Sequence, residues 1–134
     1  MYKFETKIRV RYAETDRMGY VYYGNYAAYF EVARVEALRH LGFSYRQLED
    51  SGILLPVLDF SIRFRRPAYY DDELLVKLTV PELPGTRVLF TYEIYNPAGD
   101  LITTASTTLV CIQKDTGKPC QIPQDLMDAW SKYF

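Results

Sequence analysis

The hydrophobic period of this chain changes twice, and few architectures accommodate both changes. From Lys3 to Tyr12 the residues alternate: Phe4, Thr6, Ile8, Val10 and Tyr12 fall on one side and Lys3, Glu5, Lys7, Arg9 and Arg11 on the other, as in a half-buried strand. From Asn25 to Leu41 the spacing becomes three or four, with Tyr26, Phe30, Ala33, Ala37 and Leu41 in line and Tyr29 and Leu38 widening the stripe, which predicts an amphipathic helix. Asn25 is its expected N-cap, Arg39 and His40 complement the C-terminal partial charge, and Gly42 suits the position after the last turn. A second short helix is expected over Ser44 to Asp50, capped by Ser44. Period two then returns in Leu58–Arg65, Leu74–Val80, Val88–Ile94 and Leu101–Ile112. The turn-rich segments Pro81–Gly85 and Asn96–Asp100 make the last three strands antiparallel neighbours. Pro123 to Trp130 reads as a short C-terminal helix. The fold class is α+β: a curved, antiparallel five-stranded sheet with one long helix laid across it.

A chain of 134 residues is the size of one domain, taken here as residues 1–134, and 49% hydrophobic residues supply a core without staples. Two Cys and one His are too few for a closed zinc site, so no metal is expected, and Cys111 and Cys120 are read as reduced thiols. The net charge of −1 gives no general affinity for polyanions. It weighs against single-stranded RNA binding by Arg63-Phe64-Arg65-Arg66 and Tyr69-Tyr70, so no nucleic-acid partner is expected. No membrane span and no secretory leader are read, which predicts a cytoplasmic protein. The 13 Tyr suit pleated sheets, pockets and interfaces, and an exposed sheet edge makes self-association to a dimer or tetramer plausible.

The common hydrolytic motifs are missing: there is no Gly-x-Ser-x-Gly, no His-Glu-x-x-His and no phosphate-binding Gly-rich loop. His40, the sole imidazole, sits at the far end of the helix and reads as a helix-end cation. A carboxylate therefore leads any chemistry, and Asp16 is the best placed, in the loop entering the helix with Gly19 and Gly24 nearby. The free N–H groups of a helix N-terminus can hold a developing oxyanion while such a carboxylate attacks a carbonyl or deprotonates a water. The competing reading of Asp16 is a residue that only caps its own turn.

Asp16-Arg17-Met18-Gly19-Tyr20-Val21-Tyr22-Tyr23-Gly24-Asn25-Tyr26, followed by Tyr29-Phe30-Glu31-Val32-Ala33-Arg34, resembles the defining stretch of the hot-dog-fold acyl-CoA thioesterases of the 4-hydroxybenzoyl-CoA thioesterase group. Phe64-Arg65-Arg66-Pro67-Ala68, Asp71-Asp72-Glu73-Leu74 and Val110-Cys111-Ile112 are similar to that family in order and spacing, and the bacterial branch associated with the Tol-Pal gene cluster is the nearest in appearance. The resemblance implies a sheet wrapped around the long helix and hydrolysis of an acyl thioester. It assigns Asp16 as nucleophile or general base and the Tyr23 main-chain N–H as oxyanion contact; many relatives have His where this chain has Tyr23. Gly19, Tyr22, Asn25 and Tyr26 are candidate substrate contacts, Tyr22 and Tyr26 being equally readable as core. Glu31 matches a position that meets a substrate ring hydroxyl in aromatic-substrate relatives, or it simply pairs with Arg34 one turn on. Arg63, Arg65 and Arg66 are candidates for the phosphates of coenzyme A, or form a solvated face balanced by Asp71, Asp72 and Glu73. Coenzyme A, or an acyl carrier protein, arrives as part of the substrate, so no cofactor is expected. A non-catalytic acyl-CoA or acyl-carrier-protein binding module would share the fold without needing Asp16, and a dehydratase of the same fold would need a catalytic His.

Overall fold

The computed structural model describes residues 1–134. Strand β1 (Tyr2–Arg9) leads through a 3-10 turn at Tyr12–Glu14 and a polar loop into helix α1 (Asn25–His40), followed by α2 (Tyr45–Asp50). The rest is β2 (Ile53–Leu54), β3 (Val57–Phe64), β4 (Glu73–Val80), β5 (Arg87–Tyr95), β6 (Leu101–Val110), β7 (Ile112–Gln113) and helix α3 (Gln124–Ser131). Five strands form one antiparallel sheet in the order β1-β4-β5-β6-β3, while β2 and β7 pair in a separate two-stranded ribbon. Hairpins place β4, β5 and β6 side by side. β3 instead lies beyond β6, and the chain crosses the sheet from β3 to reach β4, so the strands nearest the long helix in sequence become the two sheet edges.

Alternation decides which face of each strand is buried. Leu74, Val76, Leu78 and Val80 of β4 and Val88, Phe90, Tyr92 and Ile94 of β5 are all buried. α1 covers this face with the predicted stripe, and Ala33 and Ala37, with no bulk beyond Cβ, allow it to approach closely. It packs on β1 and β4, and the Tyr2 hydroxyl donates to the Ala37 carbonyl at 3.1 Å. α3 closes the far side by burying Leu126 and Trp130, whose ring lies edge-on to Phe90.

Several boundaries differ from the expectation. β1 alternation ends at Val10; Tyr12 is 77% exposed, because the chain turns there into its 3-10 turn. Gly24, not Asn25, is the cap of α1; Asn25 is the first helical residue, and its side chain donates to the Glu14 carbonyl at 2.8 Å. Gly42 has the expected positive φ, +94°, and Ser44 accepts from the Gln47 N–H at 3.1 Å. β3 keeps the expected alternation on its helix side, where Phe60 meets Phe30 and Phe64 meets Tyr26, yet Val57, Leu58, Phe60 and Phe64 stay 41–53% exposed. An edge strand has a neighbour on one side alone, so these side chains run out of protein to pack against.

Candidate active site

The entry to α1 is a small antiparallel hairpin built on Asp16. Its N–H donates to the Tyr20 carbonyl at 2.8 Å, the Tyr22 N–H donates to the Glu14 carbonyl at 2.8 Å, and Thr15 bridges Val21 between them. Gly19 closes the turn at φ +82°, a backbone region that side chains disfavour, and its N–H reaches the Asp16 carbonyl at 3.0 Å. The hairpin is stitched to the segment after β3 by the Val21 N–H on the Ala68 carbonyl and by a Tyr20–Tyr69 bridge.

Asp16 does cap this turn: Oδ1 accepts the N–H groups of Met18 at 2.9 Å and Tyr20 at 3.3 Å. Only one oxygen is spent in this way, and the two bonds hold the carboxylate in one orientation. Asp16 at the same time borders an open cavity of about 310 Å³, whose wall is completed by Tyr23 and Tyr26 from α1 and its lead-in and by Phe64, Arg65 and Arg66 from the end of β3. Asp16 thus caps its turn and borders the cavity at once.

The helix entry contributes donors. Asn25 and Tyr26 N–H groups turn back to the carbonyls of Tyr22 and Tyr23, at 2.9 and 3.2 Å, whereas the Tyr23 and Gly24 N–H groups have no protein acceptor. A Cβ at Gly24 would lie 2.8 Å from Cε2 of Tyr22, so a side chain there would have to displace this half-exposed ring.

Glu14 organises this region, and sequence reasoning passed it over. Its side chain is 12% exposed. Oε1 accepts the Arg11 N–H at 2.8 Å and the Tyr29 hydroxyl at 2.9 Å, and Oε2 accepts the Arg11 guanidinium at 2.9 Å. Burial alone raises the pKa of this carboxyl, but the bonds from Arg11 and Tyr29 outweigh it and hold it below the usual range. With its carbonyl taking Tyr22 and Asn25, Glu14 ties the base of the Asp16 hairpin to α1. The available signal was a Glu two residues before Asp16, inside the loop rather than on a strand face.

The remaining predicted residues separate. Arg65 and Arg66 N–H groups both donate to the Ile102 carbonyl, at 2.8 and 3.1 Å, so two residues oppose one and strand alternation breaks. This bulge brings both arginines to the cavity, while Arg63 stays with Ser61, Thr104 and Ser106 in a different depression on the sheet. The acidic balance expected from Asp71, Asp72 and Glu73 is not made: Arg66 pairs with Asp100 at 3.3 Å, and Glu73 pairs with Lys7 and Arg9. Gly19, Tyr22 and Asn25 shape the loop and do not line the cavity. Glu31 does not pair with Arg34, whose Nη1 donates instead to the Tyr92 hydroxyl at 3.1 Å; it borders a separate hollow between α1 and α2. His40 meets the Tyr2 hydroxyl at 3.1 Å, about 22 Å of helix away from Asn25. Cys111 and Cys120 are free thiols with their sulfurs 3.3 Å apart.

Comparison with known proteins agrees with this fold. The family model of the thioesterase-like superfamily matches residues 10–130. A putative acyl-CoA thioesterase of Bacillus subtilis, YneP, is 37% identical over 99% of this chain and 96% of its own length. A 1,4-dihydroxy-2-naphthoyl-CoA hydrolase of Thermosynechococcus vestitus is 36% identical over 92% of this chain and 84% of its own. Among solved structures, a DHNA-CoA thioesterase from Staphylococcus aureus superposes with a TM-score of 0.94 at 43% identity, covering 99% of this chain and 91% of that one. The five-stranded antiparallel sheet, its long helix and the sequence of the helix entry thus have one common explanation: the chain belongs to the thioesterase-like superfamily and has its hot-dog fold.

Proposed function

We infer that the chain is a thioester hydrolase that converts an acyl-CoA and water into a free acid and coenzyme A. The observation that carries this reading is that Asp16 and Tyr23 border one cavity, at a helix entry where the N–H groups of Tyr23 and its neighbour Gly24 have no protein acceptor. A thioester carbonyl seated there has its oxygen toward the free amides, which stabilise the negative charge that develops on it. The Asp16 oxygen not used in the turn attacks the carbonyl carbon, expelling the CoA thiolate and leaving an anhydride that water opens; or it takes a proton from a water that attacks directly. Both routes consume one water and return Asp16 unchanged. Single turnover in ¹⁸O-water separates them, because only the covalent route can leave label in the Asp16 carboxylate. Arg65 and Arg66 at the cavity are suited to the CoA phosphates, with Arg65 the more available because it has no carboxylate partner. Arg63, on its separate depression, is not part of this role.

The site lies against β3, and β3 is the edge suited to a second copy. β1, the opposite edge, carries Lys3, Glu5, Lys7 and Arg9, the charges that keep an edge from pairing; β3 instead exposes Val57, Leu58 and Phe60. A homodimer joined along β3 buries these side chains and encloses the cavity end carried by Phe64 to Arg66.

The test is release of CoA from aliphatic and aromatic acyl-CoAs by the native protein and by Asp16→Asn. The expected result is hydrolysis of at least one substrate and a fall of at least ~100-fold in the variant. Equal rates would remove Asp16 from the reaction. Tight binding of acyl-CoA without turnover by the native protein would make the chain a binding module.

A further inference from the structure

The two cysteines of the chain lie on opposite arms of the hairpin that follows β6. Ile112 bridges Pro119 in antiparallel register, which sets Cys111 directly opposite Cys120, and the Cys120 N–H donates to the Cys111 carbonyl at 2.9 Å. Directly opposed residues of an antiparallel pair have Cα atoms about 4.5–5.5 Å apart, inside the range of about 4.4–6.8 Å that a disulfide spans. The sulfurs are already in contact, at 3.3 Å. A bond of about 2.05 Å asks them to close by about 1.3 Å, within the reach of side-chain rotation. No third His, Cys, Asp or Glu gathers with them as a metal site would need.

The two thiols are not equivalent. Cys111 is fully buried, its sulfur also 3.6 Å from the Gln121 carbonyl, whereas Cys120 is partly exposed. Burial, and then the neighbouring Cys120, push the Cys111 thiol up to about 12, so an oxidant in solution meets Cys120 first. What the pair joins decides what a bond between them does. The arm of Cys111 is anchored on both sides, by its own N–H on the Thr86 carbonyl at 2.8 Å and by the pairing of Ile112 with Leu54. The returning arm, residues 118–122, belongs to no extended strand. Besides the Cys120 bond, its backbone is held by the Gln113 N–H on the Lys118 carbonyl at 2.9 Å and by the Ile122 N–H on the Gly85 carbonyl at 3.1 Å. It leads directly into α3, whose Leu126 and Trp130 are buried in the core. The pair is also remote from Asp16: nine residues separate Cys111 from Ile102, whose carbonyl takes Arg65 and Arg66 beside the cavity, and nine extended residues span about 30 Å.

We propose that Cys111 and Cys120 are an oxidation site for hydroperoxides, closing reversibly to an intramolecular disulfide that pins the lead into α3 to the end of β6. The Cys120 thiolate attacks the outer oxygen of the hydroperoxide; the O–O bond breaks, an alcohol leaves, or water in the case of hydrogen peroxide, and Cys120 becomes a sulfenic acid. The Cys111 sulfur gives up its proton and attacks the Cys120 sulfur; the S–S bond forms, the S–O bond breaks and water leaves. Two thiols and one hydroperoxide thus yield one disulfide, one alcohol and one water, with two electrons passing from sulfur to the O–O bond. A thiol reductant restores both cysteines by exchange.

The experiment exposes the full, reduced chain to hydrogen peroxide and to cumene hydroperoxide. The intact mass is expected to fall by about 2 Da, the loss of two hydrogens, and both thiols should become unavailable to alkylation after denaturation. The tryptic peptides ending at Lys114 and Lys132 should become linked, and dithiothreitol should reverse all three changes. Because the bond closes a loop of about ten residues, the oxidised form should melt at least ~5 °C higher. Cys111→Ser should stop at the Cys120 sulfenic acid, captured by dimedone, while Cys120→Ser should lose its remaining thiol at least ~10-fold more slowly than the native chain. If Cys111→Ser does not fold, the native chain and Cys120→Ser, altered at the partly exposed position, still decide the matter. Two thiols that survive excess peroxide, a disulfide formed between two chains, or equal rates in the native chain and Cys120→Ser would overturn the proposal. An unchanged or lower melting temperature of the oxidised form would overturn the pinning of α3.

Discussion

Glu14 shows how one side chain can set a distance between two others it never touches. Asp16 makes no hydrogen bond to α1; its position relative to the Tyr23 and Gly24 amides passes through the Glu14 carbonyl, which holds Tyr22 and Asn25, and the Glu14 carboxylate, which holds Tyr29. Glu14→Gln keeps the shape but exchanges an anionic acceptor for a neutral one opposite Arg11. The expected outcome is a fall in kcat of about 10-fold, the scale of a displaced reacting group, with a smaller change in KM and with folding retained. Steady-state kinetics and a thermal melt check both parts. The pH dependence has a definite sign. The folded pKa of Glu14 lies below its unfolded value, so its contribution to stability is complete above the unfolded pKa and disappears as pH falls through the folded one. The melting difference between native protein and Glu14→Gln should therefore be larger at pH 7 than near pH 3; an equal difference at both would mean that the carboxylate charge contributes nothing.

At the scale of elements, each segment whose burial follows a local period was legible from sequence. The alternation of β4 and β5 and the stripe of α1 name their buried residues, because one neighbouring layer covers each of them. The Ser44 cap was equally legible, being a contact within four residues, and Ser44→Ala should cost about 1 kcal/mol in chemical denaturation. What could not be read were the features decided by which strands meet. The position of β3 beyond β6, the bulge that turns Arg65 and Arg66 toward the cavity while Arg63 points elsewhere, and the β2–β7 ribbon all depend on pairing between residues more than 35 apart. Asp16 was found from its place before a helix, and its motif carried the family. Asn25 was misassigned as a cap because its actual acceptor, the Glu14 carbonyl, comes from the loop 11 residues earlier. Arg34 reads as the partner of Glu31 on helix spacing alone, and only the sheet beneath reveals Tyr92 as its neighbour.

The whole molecule has two sheet edges of different chemistry, and the candidate site lies beside β3, the one that exposes large apolar side chains. Because Phe64 ends β3 and, with Arg65 and Arg66 just beyond it, forms part of the wall of the Asp16 cavity, the proposed dimer predicts that association and catalysis are coupled through one strand. A lysine at Phe60, which meets Phe30 yet stays 41% exposed, would place a charge where a second copy should pack. Phe60→Lys should shift the protein from dimer to monomer in sedimentation and lower kcat/KM. Lys3→Phe on β1 serves as a control, because that edge has no part in the proposed dimer and its substitution should change neither quantity. Two further results would speak against the coupling: a native protein that sediments as a monomer while hydrolysing thioesters at full rate, or a monomeric Phe60→Lys that keeps native kcat/KM. Either would mean that the cavity seen in one chain is already a complete active site, and that the apolar edge serves assembly alone.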